Sequence, residues 1–164
     1  MSSLIYISNK KLVLLVIIIL FTLLFTFLIL PLILYNYIPE SMLGTFIKNN
    51  QYAGLLVLPP LFFTIIPGLY YFNFKKDLYI INIISFRTIL FFLSRKKQID
   101  IAHNMLKEYK IFNRPFSFNK TLMIKLESQN KKKIIIKRFN FSLLRNKELQ
   151  KIQIELDNII KING

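Results

Sequence analysis

The residues best suited to chemistry in this chain are few, and they sit in its second half. Asp100 and His103 are three positions apart, so on a short helix they would be neighbours and the carboxylate could orient the imidazole. With Glu108 as a further acid or base, the three would make a minimal proton-transfer set. A working dyad needs a third group, either a nucleophile or a metal, and a lone Asp and His pair reads as structural or as a solvated turn. His103 is the only histidine and there is no cysteine, so no thiolate site or disulfide exists and metal ligation has little to draw on. No cofactor is expected. Between Gly68 and Gly164 there is no glycine, so neither a phosphate-cradling loop nor a nucleophile elbow can be written there.

The other chemistry is charge. From Lys75 to Gly164 there are twenty Lys or Arg against seven Asp or Glu, in a chain of net charge +15. The clusters are Lys75 and Lys76; Arg95, Lys96 and Lys97; Lys131, Lys132 and Lys133; and Lys137 with Arg138. Such a field favours anionic partners: lipid head groups, acidic protein surfaces or nucleic acid. At strand ends and turns, lysines also serve simply to solvate and protect sheet edges. Nucleic acid is the least favoured partner, because Phe112, Phe116 and Phe118, which could stack bases beside Arg114, are better spent on a small core.

These residues are positioned by an apolar N-terminal half. Leu12 to Leu34 carries no charge, and as a helix it covers the roughly 30 Å hydrocarbon core of a bilayer. Thr22 and Thr26 can bond back to carbonyls one turn earlier. Pro31 would kink the span near its far end, where Tyr35 and Tyr37 would form an interfacial belt. Lys10 and Lys11 precede the run, and no small-residue cleavage pattern follows it, which predicts an uncleaved signal anchor. Tyr52 to Phe72 is a second uncharged run, interrupted by Pro59, Pro60 and Pro67 and expected as a kinked second span.

The expected organisation is therefore a transmembrane hairpin over 1–74, with spans near 12–35 and 52–73, followed by a domain over 75–164. Lys10, Lys11, Lys75 and Lys76 flank the hairpin and only Lys48 lies in its loop, which predicts both termini in the cytoplasm and Pro39 to Gln51 outside.

From Asp77 the pattern shortens to strand length. Residues 77–84 and 88–93 read as a hairpin turning at Ser85 and Phe86, with Arg95 to Gln98 as a charged turn. Strands are expected at 108–112, 121–127 and 132–139. The middle one alternates, with Leu122, Ile124 and Leu126 on one face. Leu149, Ile152, Leu156, Ile159 and Ile160 then mark one face of an amphipathic helix over 146–161.

An N-terminal membrane hairpin, short strands starting after Lys75 and Lys76, and a C-terminal amphipathic helix resemble the membrane-anchored bacterial pleckstrin-homology-like proteins. Residues 99–112 look like that family's strand, short turn and strand, with Met105 and Leu106 at its "I-x-x-I" contact. The resemblance implies a small antiparallel β domain, α+β in class, closed by the helix. It further implies a non-enzymatic binding or scaffolding module in the cytoplasmic membrane, facing anionic lipid, a protein partner or a second copy of itself. The competing expectation is a small integral-membrane enzyme acting on a lipid at the interface through Asp100, His103 and Glu108.

Overall fold

The computed structural model describes residues 4–37, 41–50, 58–59, 62, 68–88, 96–114, 118–127 and 133–163. The chain divides into two units, one made of 1–13 with 68–164 and the other of 14–67.

The first unit is α+β. A four-stranded antiparallel sheet has the order β1 (Ile5–Ser8), β2 (Tyr70–Lys76), β3 (Ile80–Arg87) and β4 (Lys97–Ala102). A short 3-10 turn, His103–Met105, leads into a three-stranded antiparallel sheet of β5 (Leu106–Asn113), β6 (Asn119–Glu127) and β7 (Ile134–Ser142). The C-terminal helix, Asn146–Asn163, follows. One core joins the inner faces of both sheets to that helix: Phe72 and Phe74 from β2, Ile81 and Ile83 from β3, Leu122, Ile124 and Leu126 from β6, and Ile152, Leu156 and Ile159 from the helix. The period-two alternation of β6 and the three-and-four spacing of the helix are the reasons those residues share one side.

The β domain does not begin at Lys75. Its first strand is Ile5–Ser8, ahead of the long apolar run, and it pairs with β2 in the register Ile7↔Phe74 and Ser8↔Asn73. The β2 strand itself takes in Tyr70–Phe72, the expected end of a second span. Those aromatics continue an uncharged run, which hid their alternation, and they are strand because Phe72 and Phe74 point inward to the core. Of the rest of the expected second span only Leu58, Pro59 and Phe62, all helical, and Gly68 and Leu69 are described. The role assigned to Pro60 lies outside the described residues.

A turn at Ser85 and Phe86 is likewise absent. The β3 strand runs straight through both, because Ser85 is buried and its hydroxyl donates to the Asn140 carbonyl at 2.5 Å. The turn comes earlier, where the Asp77 amide donates to the Ile80 carbonyl at 2.9 Å. Of the expected strand 88–93 only Thr88 is described. Lys97 and Gln98, read as turn, open β4.

The second unit continues the helix that starts in the first. Helix α1 (Lys10–Leu24) passes through a π-helical turn (Phe25–Ile29) into α2 (Leu30–Tyr37), and a separate α3 (Met42–Asn49) follows. Pro31 has no amide to give the carbonyl one turn back, and its ring crowds that turn, so a widened turn immediately before it is the local accommodation. Thr22 does bond back, its hydroxyl reaching the Ile18 carbonyl at 3.0 Å. Among the described residues, one helical stretch, Lys10–Leu34, is long and apolar enough to cross a membrane.

Candidate anion-binding groove

The strands β4 and β7 are each the last strand of their sheet, and a groove of about 640 Å3 opens between them. Its walls carry Lys96 and Lys97 from one side and Lys137 and Arg138 from the other, over Ile99, Ile136 and Phe139. Along β7, Phe139 is buried while Ile136, Lys137 and Arg138 before it are exposed. The seam is bridged where Lys97 Nζ donates to the Arg138 carbonyl at 3.5 Å. Among the described residues, none of the four cations is in an ion pair and no carboxylate lines the groove. Four like charges held together on an open polar seam, above an apolar floor, are chemically suited to a phosphate or carboxylate.

Only part of the expected basic patch gathers here. Lys75 and Lys76 lie in β2, where Lys76 is ion-paired with Glu155 at 2.5 Å. Lys133 precedes β7, whose first residue Ile134 pairs with Glu127. Arg95, Lys131 and Lys132 lie outside the described residues.

The proton-transfer set does not converge. Asp100 is in an extended strand, where three residues span about 10 Å rather than one helical turn. Its carboxylate accepts from Asn82 Nδ2 at 2.5 Å. His103 begins the 3-10 turn, and its buried Nε2 has no hydrogen-bond partner among the described residues. Burial, and then the Lys76 charge, hold its pKa below the usual histidine value. Glu108 is ion-paired with Lys110 at 3.0 Å and Lys125 at 3.7 Å. The hydrogen bond from Lys110 leads the causes that keep its carboxyl below the usual range.

A second polar constellation escaped the sequence reading. Asn9, almost wholly buried, lies between β1 and α1, its carbonyl receiving the Val13 amide at 3.0 Å. Its side chain donates to the carbonyls of Tyr70 at 2.8 Å and Ser142 at 2.6 Å, and accepts from the Phe72 amide at 2.8 Å. Ser142 Oγ accepts the Tyr70 amide at 2.8 Å and donates to Asn119 Oδ1, while Asn119 Nδ2 donates to the Gly68 carbonyl at 2.9 Å. The points where the chain leaves the β unit and returns to it are thus clasped together. The signal available in sequence was an asparagine ahead of an apolar helix, a cap by type; its partners were not visible.

Compared with known proteins, the chain matches no family model, no curated sequence and no solved structure.

Proposed function

We propose that the chain is a membrane-anchored, non-enzymatic binding module whose β domain offers the β4–β7 groove to an anionic group. The ligand is the phosphate of a lipid head group or the acidic segment of a protein partner. The observation that carries this reading is the set Lys96, Lys97, Lys137 and Arg138 on one seam, none of them in an ion pair among the described residues. Two antiparallel sheets closed by a C-terminal helix support the pleckstrin-homology-like resemblance.

Anchoring is supported by Lys10–Leu34, along which Phe21, Leu14, Leu15 and Ile18 are exposed at half or more of their surface. An apolar stripe of that size in water is a liability, and in lipid it is the natural solvent contact. The chain re-crosses the bilayer, because β1 and β2 are paired neighbours and so lie on one side of it. Lys10 and Lys11 at the root of the span favour the cytoplasm for that side.

The test is native mass spectrometry of the detergent-solubilised full chain, alongside crosslinking in membranes. Replacing Lys96, Lys97, Lys137 and Arg138 together by Ser should strip co-purified anionic lipid or the crosslinked partner. A variant that keeps both unchanged overturns the groove as the binding site.

A further inference from the structure

One end of the β unit is the root of α1 and combines exposed aromatic rings with cations. The clasp of Asn9, Asn119 and Ser142 marks one end, since Lys10 opens α1 directly after Asn9 and Gly68 returns beside Asn119. The register Phe112↔Thr121, Asn113↔Lys120 and Asn119↔Ser142 puts the end of β5 and the start of β6 at that same end. Two aromatic side chains stand out from it: Phe118 is 66% exposed and Phe112 48%. Lys10, Lys11 and Lys120 share this end. Its one carboxylate among the described residues, Glu148, accepts from the Arg145 amide at 3.1 Å, capping the C-terminal helix.

The opposite end has the other chemistry. It mixes Asp77, Asp100, Glu108 and Glu127 with Lys75, Lys107, Lys110, Lys125 and Lys133, so acids and bases there offset one another. The ion pairs among the described residues are also there: Lys76–Glu155, Lys107–Glu127, Lys110–Glu108 and Lys125–Glu108. It exposes apolar side chains too, at Leu78, Tyr79, Ile80 and Ile134, but these lie about 20 Å along β2 from the root of α1.

We infer that the Phe112 and Phe118 end is a membrane-docking surface, seated in the interfacial layer of the leaflet that α1 enters. The two aromatic rings sit among the head groups and Lys10, Lys11 and Lys120 lie on lipid phosphates, the pairing of apolar wedge and cation that suits an anionic interface. This rests on the reading that Lys10–Leu34 is anchored in the bilayer. It adds an orientation: the β unit stands end-on, with its ion-paired end toward the cytosol.

The chain has no tryptophan, so a single introduced one reports its own surroundings. Phe118→Trp, Tyr79→Trp and Phe21→Trp are made in the full chain and reconstituted into vesicles of phosphatidylcholine and phosphatidylglycerol, with and without brominated acyl chains. Expected is a blue-shifted, bromine-quenched emission from Phe118→Trp and a red, unquenched emission from Tyr79→Trp. Phe21→Trp should be quenched wherever the acyl chains are brominated. If Phe21→Trp is quenched while Phe118→Trp behaves as Tyr79→Trp does, docking is overturned and anchoring stands. If Phe21→Trp is not quenched, anchoring fails and the docking falls with it.

Discussion

Asn9 and Ser142 are 133 positions apart and directly bonded, the asparagine Nδ2 giving its proton to the serine carbonyl at 2.6 Å. Through Asn9, the first turn of α1 is tied to β2 in one sheet and to β7 in the other. Removing it leaves two buried carbonyls and one buried amide without their partner, and each unmet group costs about 1–3 kcal/mol. Asn9→Ala should therefore destabilise the β unit by roughly 3 kcal/mol or more. Ser8→Ala, which loses only an exposed contact to the Lys10 amide at 3.3 Å, should cost about 1 kcal/mol at most. Thermal unfolding of the detergent-solubilised full chain distinguishes them, and equal effects would mean the clasp contributes nothing.

Local period was legible in the sequence, and pairing across distance was not. The alternation of Leu122, Ile124 and Leu126 and the stripe of Ile152, Leu156 and Ile159 were readable because each is written within one element. Ile5–Ser8 was not, because four residues ahead of a long apolar run look like its leader, and their partner lies more than sixty residues on. Tyr70–Phe74 was hidden the same way, its strand running on from an uncharged stretch. The groove was half legible. Its charges stood in the sequence, but Lys97 and Lys137 meet only because β4 and β7 are each the open edge of a sheet.

The C-terminal helix closes the core through one face. Leu156 is fully buried and Ile154, two residues earlier, is mostly exposed. Leu156→Ala should cost about 2–5 kcal/mol, a large fraction of what a domain of this size has to spare. Ile154→Ala should stay within about 0.5 kcal/mol. Chemical unfolding of the full chain, with both variants side by side, checks the pair. Similar losses at the two positions would place the helix in another rotation.

The single histidine gives a clean pH signal. Burial and Lys76 depress the His103 pKa in the fold, so the folded state prefers the neutral ring. The unfolded chain takes up a proton near pH 6.5, before the folded chain does. Stability from this group is thus complete above about pH 6.5 and is lost as pH falls through the lower folded value. Melting temperature should decline from about pH 6.5 toward pH 5, ahead of most carboxylate titration. His103→Gln should flatten that decline. An unchanged slope would assign it to other groups.

If the chain is anchored in a bilayer as proposed, the pairing of β1 with β2 also constrains how often it crosses. Ile7 faces Phe74 and Ser8 faces Asn73 across an antiparallel ladder, and the Asn9 amide reaches the Phe72 carbonyl at 3.3 Å. Everything between Asn9 and Gly68 therefore leaves and re-enters the unit at one place. If Lys10–Leu34 crosses once, a chain that did not come back would put β1 and β2 on opposite sides of the membrane. The run available for the return, Tyr52 to Leu69, is uncharged. The chain has no native cysteine, so single cysteines can be read with an impermeant thiol reagent. Leu4→Cys and Tyr79→Cys, both at exposed side chains, should label from the same side, and Lys48→Cys, at the end of α3, from the other. With the domain cytoplasmic, intact cells label only Lys48→Cys, and permeabilised cells label all three. Labelling of Leu4→Cys and Tyr79→Cys from outside would reverse the orientation and keep the even number of crossings. Labelling of those two from opposite sides would mean that β1 and β2 do not pair in the membrane, and the clasp at Asn9 would fall with them.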